Sequence, residues 1–431
     1  MRRPGSRRCV CLAVVVAPLL AALAVPSPAE TPAGLFASAG QLERARGRPG
    51  LEAFLARAES ALDRKARPFA VPPKELRFGW TEPETPPDDT LREATERLLR
   101  DSDAMRTLAL AFALTGELRF AAKAEALMLV WARDSRPVNF YDYNPDFRTA
   151  DLAGKTEGFS SNRPWNFGLD MVWQAYGLIN AADAALLLEH GGRSLDPEID
   201  AWLLALTEAV NSSFHAWTRW ADENGGRLGR FHSTSRQDDL LHERAGVERH
   251  RADNHLSWAL AGLLAGAAVL DDSELAAYVL EGGAWEDRRA GRYRNPSPIG
   301  DVIDRAIEGG ADEAVGRIFE ERIRREPPIG YALFHLEAMS LVARIADLHF
   351  DANVWDMAGA DGAGMRDAYR RYARWLNDEL TGRESGSRWL AALSPKGWAG
   401  PERAVFVAAK RLPEQMNHAV GPARLLFGGG G

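Results

Sequence analysis

Three groups of residues in this chain have types and spacings suited to chemistry on an anionic, hydroxyl-rich molecule. The first is Asp253-Asn254-His255-Leu256-Ser257-Trp258, which opens the apolar run Ala259-Leu260-Ala261-Gly262-Leu263-Leu264. Polar hydrogen-bonding side chains at the start of a helix sit where free backbone N–H groups and the helix dipole favour a negative charge. Asn254 and His255 are therefore candidates for gripping a substrate carboxylate, against a plain helix cap with a solvated imidazole. The second group is Arg322, Arg324 and Arg325, followed by Pro327-Pro328-Ile329-Gly330-Tyr331-Ala332-Leu333-Phe334-His335. Pro-Pro ends one helix and the next begins near Ala332, so Tyr331 lies at its entrance with His335 one turn on, on the same face. A tyrosine, with an ordinary pKa of about 10, acts as a base only beside positive charge, which Arg324 can supply. The alternative is an interface tyrosine and a hydrogen-bonded core histidine. The third group, Ser160-Ser161-Asn162-Arg163-Pro164-Trp165-Asn166, suits carbohydrate. Asn162 and Arg163 offer hydrogen bonds to hydroxyls and carboxylates, and Trp165 offers a stacking face that Trp217, Trp220 and Trp258 can extend. With 13 Trp in the chain, core packing is the competing role for any one of them.

Other chemistries find no support. A phosphate-binding loop, a dinucleotide fingerprint and a G-x-S-x-G nucleophile turn are missing from the sequence. The nine His are scattered and form no HExxH or Cys/His cluster, so neither a metal nor another cofactor is expected. His232, His242 and His250 share one loop without a ligand pattern.

These groups have to be held by helices. Apolar residues recur at helical spacing through Gly34–Ala66, Thr90–Arg133 (broken at Thr115-Gly116-Glu117), Trp165–His190, Pro197–Trp220, Ala252–Leu270, Ser273–Glu281, Ile299–Arg325, Ala332–His349 and Gly364–Leu380. Alternating strand patterns are almost absent. Helices divided by Gly, Pro and Asp imply stacked hairpins, and the lack of a fixed repeat argues against an open repeat array. The expectation is an all-α chain in one large domain over residues 30–431, closed into an α/α toroid. Pro137–Ser161, Asn224–Arg251 and Arg288–Pro298 are long polar stretches, as expected of loops that carry function.

Residues 1–29 read as an export signal. Arg2, Arg3, Arg7 and Arg8 precede an apolar run from Val10 to Val25, and Ser27-Pro28-Ala29 supplies small residues for cleavage. Ser6-Arg7-Arg8 approaches a twin-arginine pattern. Both cysteines, Cys9 and Cys11, fall in this segment, so the exported protein is expected to lack disulfides and to be periplasmic or secreted. No other apolar stretch is long enough to span a bilayer. The net charge of -7 and pI near 5.8 show no basic face for nucleic acid.

Taken together, these stretches resemble the alginate-lyase-like polysaccharide lyases, exported enzymes of α/α-toroid fold. Asp101-Ser102-Asp103-Ala104-Met105 through Leu127 and Trp131 is similar to the family's early helical hairpin. Asp253-Asn254-His255 is similar to its Asn-Asn-His signature, with Asp at the first position. Tyr331 to Ala338 is similar to its late tyrosine-bearing helix, and Trp355 with Asp361-Gly362 to its C-terminal segment. The resemblance spans roughly residues 35–385. It implies β-elimination on a uronic-acid polymer, polymannuronate or glucuronan, with Asn254, His255 and Arg324 neutralising the uronate carboxylate. Tyr331 is then the proton-transferring residue, and Asn162, Arg163, Trp165, Trp258 and His335 contact the polymer. In the archetype the catalytic tyrosine directly precedes a histidine, whereas here that position is Phe334. Tyr331 keeps a similar seven-residue spacing from its arginine, and Tyr293 is the fallback.

Overall fold

The computed structural model describes residues 31–69, 91–143, 149, 167–223, 254–310, 314–323, 328–376 and 422–427. Residues 1–29, the loop with His232, His242 and His250, and Asn162, Arg163, Trp165 and Arg324 lie outside these.

Two short helices, α1 (Ala39–Ala45) and α2 (Leu51–Leu62), precede the first long hairpin, α3 (Leu91–Thr115) and α4 (Leu118–Asp134). The hairpin turns at Gly116, as its sequence predicts, and a buried bond ties it together: Trp131 Nε1 donates to Asp101 Oδ2 at 2.8 Å. A single turn, α5 (Phe140–Tyr143), leads toward the second hairpin, α6 (Phe167–His190) and α7 (Pro197–Glu223). The third is α8 (Asn254–Leu270) with α9 (Ser273–Glu281).

Helices α3, α6, α8 and α12 (Pro328–His349) pack side by side in that order, while α4, α7 and α9 cover them from outside. The composition explains the arrangement. Every residue of α8 from Leu256 to Ala267 is buried, because a helix apolar on all sides is stable only inside. A Cβ at Gly262 would stand 2.8 Å from that of Ala175, so glycine there lets α8 close on α6. By contrast α13 (Met365–Leu376) buries Met365, Ala368, Tyr369 and Tyr372 along one stripe, with Arg366 and Arg370 outside, as an outer helix should. Among the described residues no helix is long and apolar enough to cross a membrane.

The structure departs from the sequence reading in four places. The expected helix Ile299–Arg325 is interrupted: α10 (Ile299–Ala306) gives way to a small hairpin, β3 (Ile307–Glu308) with β4 (Arg317–Ile318), and then to α11 (Phe319–Ile323). Gly316 makes that turn, with φ of 76° and a would-be Cβ 2.3 Å from Asp367 O, a place no side chain fits. The polar stretch after α9 is a second hairpin, β1 (Ala284–Asp287) with β2 (Gly291–Arg294). Third, α12 begins at Pro328, four residues ahead of the expected start, because a proline fits the first turn of a helix where its missing N–H has no partner to lose. Tyr331 is accordingly inside the first turn of α12.

Fourth, the segment before α1 is a tight loop where the sequence predicts helix from Gly34, with Ala33 N and Gly34 N donating to Ala37 O at 2.9 and 3.1 Å. It straps α6 to α12: Leu35 N donates to Asp183 Oδ1 of α6 at 2.7 Å. Arg344 Nε of α12 donates to Phe36 O at 3.0 Å, and His349 Nε2 lies 3.2 Å from the carbonyls of Gly34 and Leu35. Burial pushes the Asp183 carboxyl up to about 6, opposed by Arg106 and the Leu35 amide, and burial holds His349 below its ordinary value. A last helix, α14 (Ala423–Phe427), rests against α1.

Candidate functional site

Asn254 is the first residue of α8, where the chain enters the core from a polar stretch. It is buried, and what occupies the helix N-terminus is Glu320, from α11. Glu320 Oε1 accepts from Asn254 N at 3.0 Å and from Asn254 Nδ2 at 3.3 Å. The same carboxylate faces His335 Nδ1, with contacts of 2.9 and 3.0 Å to its two oxygens. Glu320 and His335 are both essentially without exposed surface. One carboxylate thus pins the first turn of α8 to the second turn of α12. An anion at a helix N-terminus, accepting one of its otherwise unpaired N–H groups, is favoured by charge and geometry alike.

Around this knot stand the residues that sequence reasoning selected. His255, next to Asn254, is half-buried with its ring 6.3 Å from Trp217 of α7. Tyr331, half-buried, lies one turn before His335 on α12. Glu320 therefore brings Asn254 and His335 together, with His255 and Tyr331 following from their places on α8 and α12, and Arg324 lies outside the described residues between α11 and α12. Two expectations change. His335, expected to contact substrate, is a wholly buried partner of Glu320 instead. Trp258, expected to extend a sugar-stacking face, is a core side chain stacked on Tyr176 at 4.2 Å and beside Phe334 at 5.1 Å. A helix as apolar as α8 has no outward face on which to present an indole. Burial also pushes the Tyr176 phenol well above its ordinary range, with Glu337 adding to the effect.

A second polar cluster joins α5, α7 and the β1–β2 hairpin. Tyr141 Oη and His215 Nδ1 are 2.6 Å apart, and the His215 ring stacks on Tyr293 with centroids 3.5 Å apart. Tyr293 Oη donates to Asn211 Oδ1 at 2.8 Å and accepts from Tyr278 Oη at 2.9 Å. Asn211 Nδ2 donates to Asp287 Oδ2 at 2.7 Å. Burial, then the neighbouring Tyr278, push the Tyr293 phenol well above its ordinary range, which argues against the fallback tyrosine as a base. Next to this cluster is a cleft of about 610 Å³ lined by Arg136, Asn139, Asp142, Glu208, Arg288 and Arg289. Two of its three arginines are paired: Arg288 with Glu208 and Arg289 with Asp142.

Sequence reasoning missed Glu320, Tyr141 and His215. Glu320 stands 66 positions from Asn254, in an acidic pair whose neighbour Glu321 is bound to Arg371 at 2.9 Å. Nothing in its local spacing separates it from a surface acid. Among the described residues no group of three or more His, Cys, Asp or Glu could hold a metal ion.

Comparison with known proteins agrees with the sequence resemblance. A model of the alginate lyase family matches residues 57–381. The crystal structure of an alginate lyase from Bacteroides ovatus superposes with a TM-score of 0.56 at 16% identity, over 93% of this chain and 99% of that one. Alginate lyase A1-III from Sphingomonas species A1 gives a TM-score of 0.48 at 14% identity, over 90% of this chain and 94% of that one. No curated protein sequence matches. The fold is an α/α toroid, and because the family model covers well over half of its length, the chain belongs to the alginate lyase family and is a polysaccharide lyase.

Proposed function

We propose that the enzyme depolymerises a uronic-acid polymer, polymannuronate or glucuronan, by β-elimination at the entrance of α8 and α12. Asn254 and His255 hold the uronate carboxylate, where charge builds as the C5 proton leaves, with Arg324 and Arg163 assisting. Tyr331 takes that proton. The C5 electron pair forms the C4–C5 double bond, the C4–oxygen bond breaks, and the proton passes to the departing oxygen. One residue serves as both base and acid when proton and leaving group share a face of the ring, as in β-linked mannuronate and glucuronate. Residues 1–29 act as an export signal, which places the enzyme where such polymers are met.

The observation that carries this reading is the shared carboxylate of Glu320. By binding Asn254 and His335 at once, it sets the first turn of α8, with His255, against the turns of α12 that bear Tyr331. Phe334, at the archetype's tyrosine position, packs against Trp258 and Tyr176 and leaves the proton-transfer role to Tyr331. The test is to offer polymannuronate, polyguluronate, glucuronan and hyaluronan separately and to follow the ultraviolet absorbance of the new conjugated double bond. Absorbance on polymannuronate or glucuronan supports the reading. New reducing ends without absorbance, or silence on all four, contradicts it.

A further inference from the structure

Glu320 is absent from every sequence signal of function, yet it is the most connected buried acid beside the proposed site. Four contacts converge on its carboxylate: the Asn254 backbone N–H, the Asn254 side-chain amide and two distances to His335 Nδ1. With Glu320 accepting, the Asn254 amide is held in one of its two flips, its nitrogen toward Glu320, and the second N–H of that nitrogen is the donor left for the uronate carboxylate. The same carboxylate fixes His335 with its Nδ1 proton toward Glu320. His335 Nε2 is left as a buried acceptor with no partner among the described residues, one turn below Tyr331.

We infer that Glu320 is a positioning residue for the elimination reaction, acting through Asn254 and His335 and never touching the polymer. The inference rests on the proposed role of Asn254. The physical logic is that of a supporting shell. A catalytic amide held to one orientation meets the developing carboxylate charge without reorganising, and the comparable partners that orient metal ligands are worth about 10- to 100-fold in activity. A carboxylate at the α8 N-terminus also keeps that N-terminus from capturing the substrate anion itself, so recognition falls to side chains. The paired arginines of the cleft near Arg136 carry no comparable argument, since Glu208 and Asp142 already neutralise two of them.

The test uses whichever uronan the wild-type enzyme eliminates fastest. Glu320→Gln keeps an acceptor oxygen for the Asn254 amide and loses the charge. It is expected to lower kcat about 10- to 100-fold with KM changed less than about threefold. In an Asn254→Ala background the same change should cost less than about threefold, because the residue it acts through is gone. If Glu320→Gln does not fold, His335→Asn and His335→Leu replace it. The asparagine, which retains an N–H toward Glu320, should keep activity within about fivefold of wild type, and the leucine should lose at least ten times more. Equal losses in the two backgrounds, an unchanged kcat in Glu320→Gln, or indistinguishable His335 variants would overturn the inference while leaving the lyase reading intact. Absence of elimination by the wild-type enzyme on any uronan would instead remove the lyase reading, and this inference with it.

Discussion

Two polar networks lie beside the toroid's helices, and they differ in what their hydrogen bonds join. In the Tyr278–Tyr293–Asn211–Asp287 chain each hydroxyl and amide has its partner inside, and Asp287 also takes the backbone N–H groups of Arg289 and Ala290. It holds the β1–β2 hairpin to α7, and burial pushes both its tyrosines well above their ordinary range. The Glu320 network instead joins Asn254 to His335, and the half-buried His255 and Tyr331 lie one residue and one turn away along the same two inner helices. Residues of similar type therefore serve different ends: one network secures a fold element, whereas the other, tied to two helix entrances, stands beside half-buried side chains.

The largest effect that separates the two regions concerns the proposed base. Tyr331→Phe should lower kcat by 10²- to 10⁴-fold, read from double-bond absorbance, with Tm close to wild type. A Tyr331→Phe enzyme within tenfold of wild type would dissolve the distinction. Next, Asn254→Ala should cost about 10²- to 10³-fold in kcat/KM through lost stabilisation of the carboxylate charge. Retention of most of that activity would transfer the role to His255 or to an arginine.

Away from the site, burial of an acid has a different consequence at Asp183. Asp183, unlike Glu320, takes only one N–H from the strap, and its folded pKa of about 6 lies above the unfolded 3.8. Its contribution to stability is therefore full below about pH 4 and is lost as the pH rises through about 6, a difference of about 2 to 3 kcal/mol. Asp183→Asn should abolish that decline in Tm between about pH 4 and 7. His349, whose folded pKa is depressed, acts in the opposite sense. Its stabilisation is present above about 6.5 and lost as the pH falls, so the variant should keep an acid-side loss. Parallel Tm curves for wild type and variant would show that the strap carboxyl is not the titrating group.

The smallest effect on catalysis is expected in the Tyr278–Tyr293–Asn211–Asp287 network. Tyr293→Phe removes one hydroxyl with two partners, so stability should fall by about 1 to 2 kcal/mol while kcat stays within about threefold. A hundredfold loss of kcat would mean that this cluster, not Tyr331, transfers the proton.

Much of the fold was legible in the sequence because it is written in local periodicity. The α3–α4 hairpin with its turn at Gly116, and α9 over Ser273–Glu281, fall where the apolar spacing puts them. The interruption after α10 was not legible, because Gly316 is demanded by the distant Asp367 backbone and not by its own neighbours. At the site, Asn254, His255 and Tyr331 could be selected by type and position at helix entrances. Glu320 could not, since its meaning comes from a contact across 66 residues, and a surface acid looks the same in the sequence. Trp258 and His335 misled for the converse reason: their side chains suit a sugar, but helices apolar on every side turn them inward.

The most direct test of the central claim compares wild-type enzyme with Tyr331→Phe on polymannuronate and glucuronan, following the conjugated double bond with time. The account predicts steady absorbance from the wild-type enzyme on at least one polymer and a loss of at least 10²-fold in the variant, at unchanged Tm. Undiminished absorbance in the variant, or cleavage that yields only saturated ends, would contradict it.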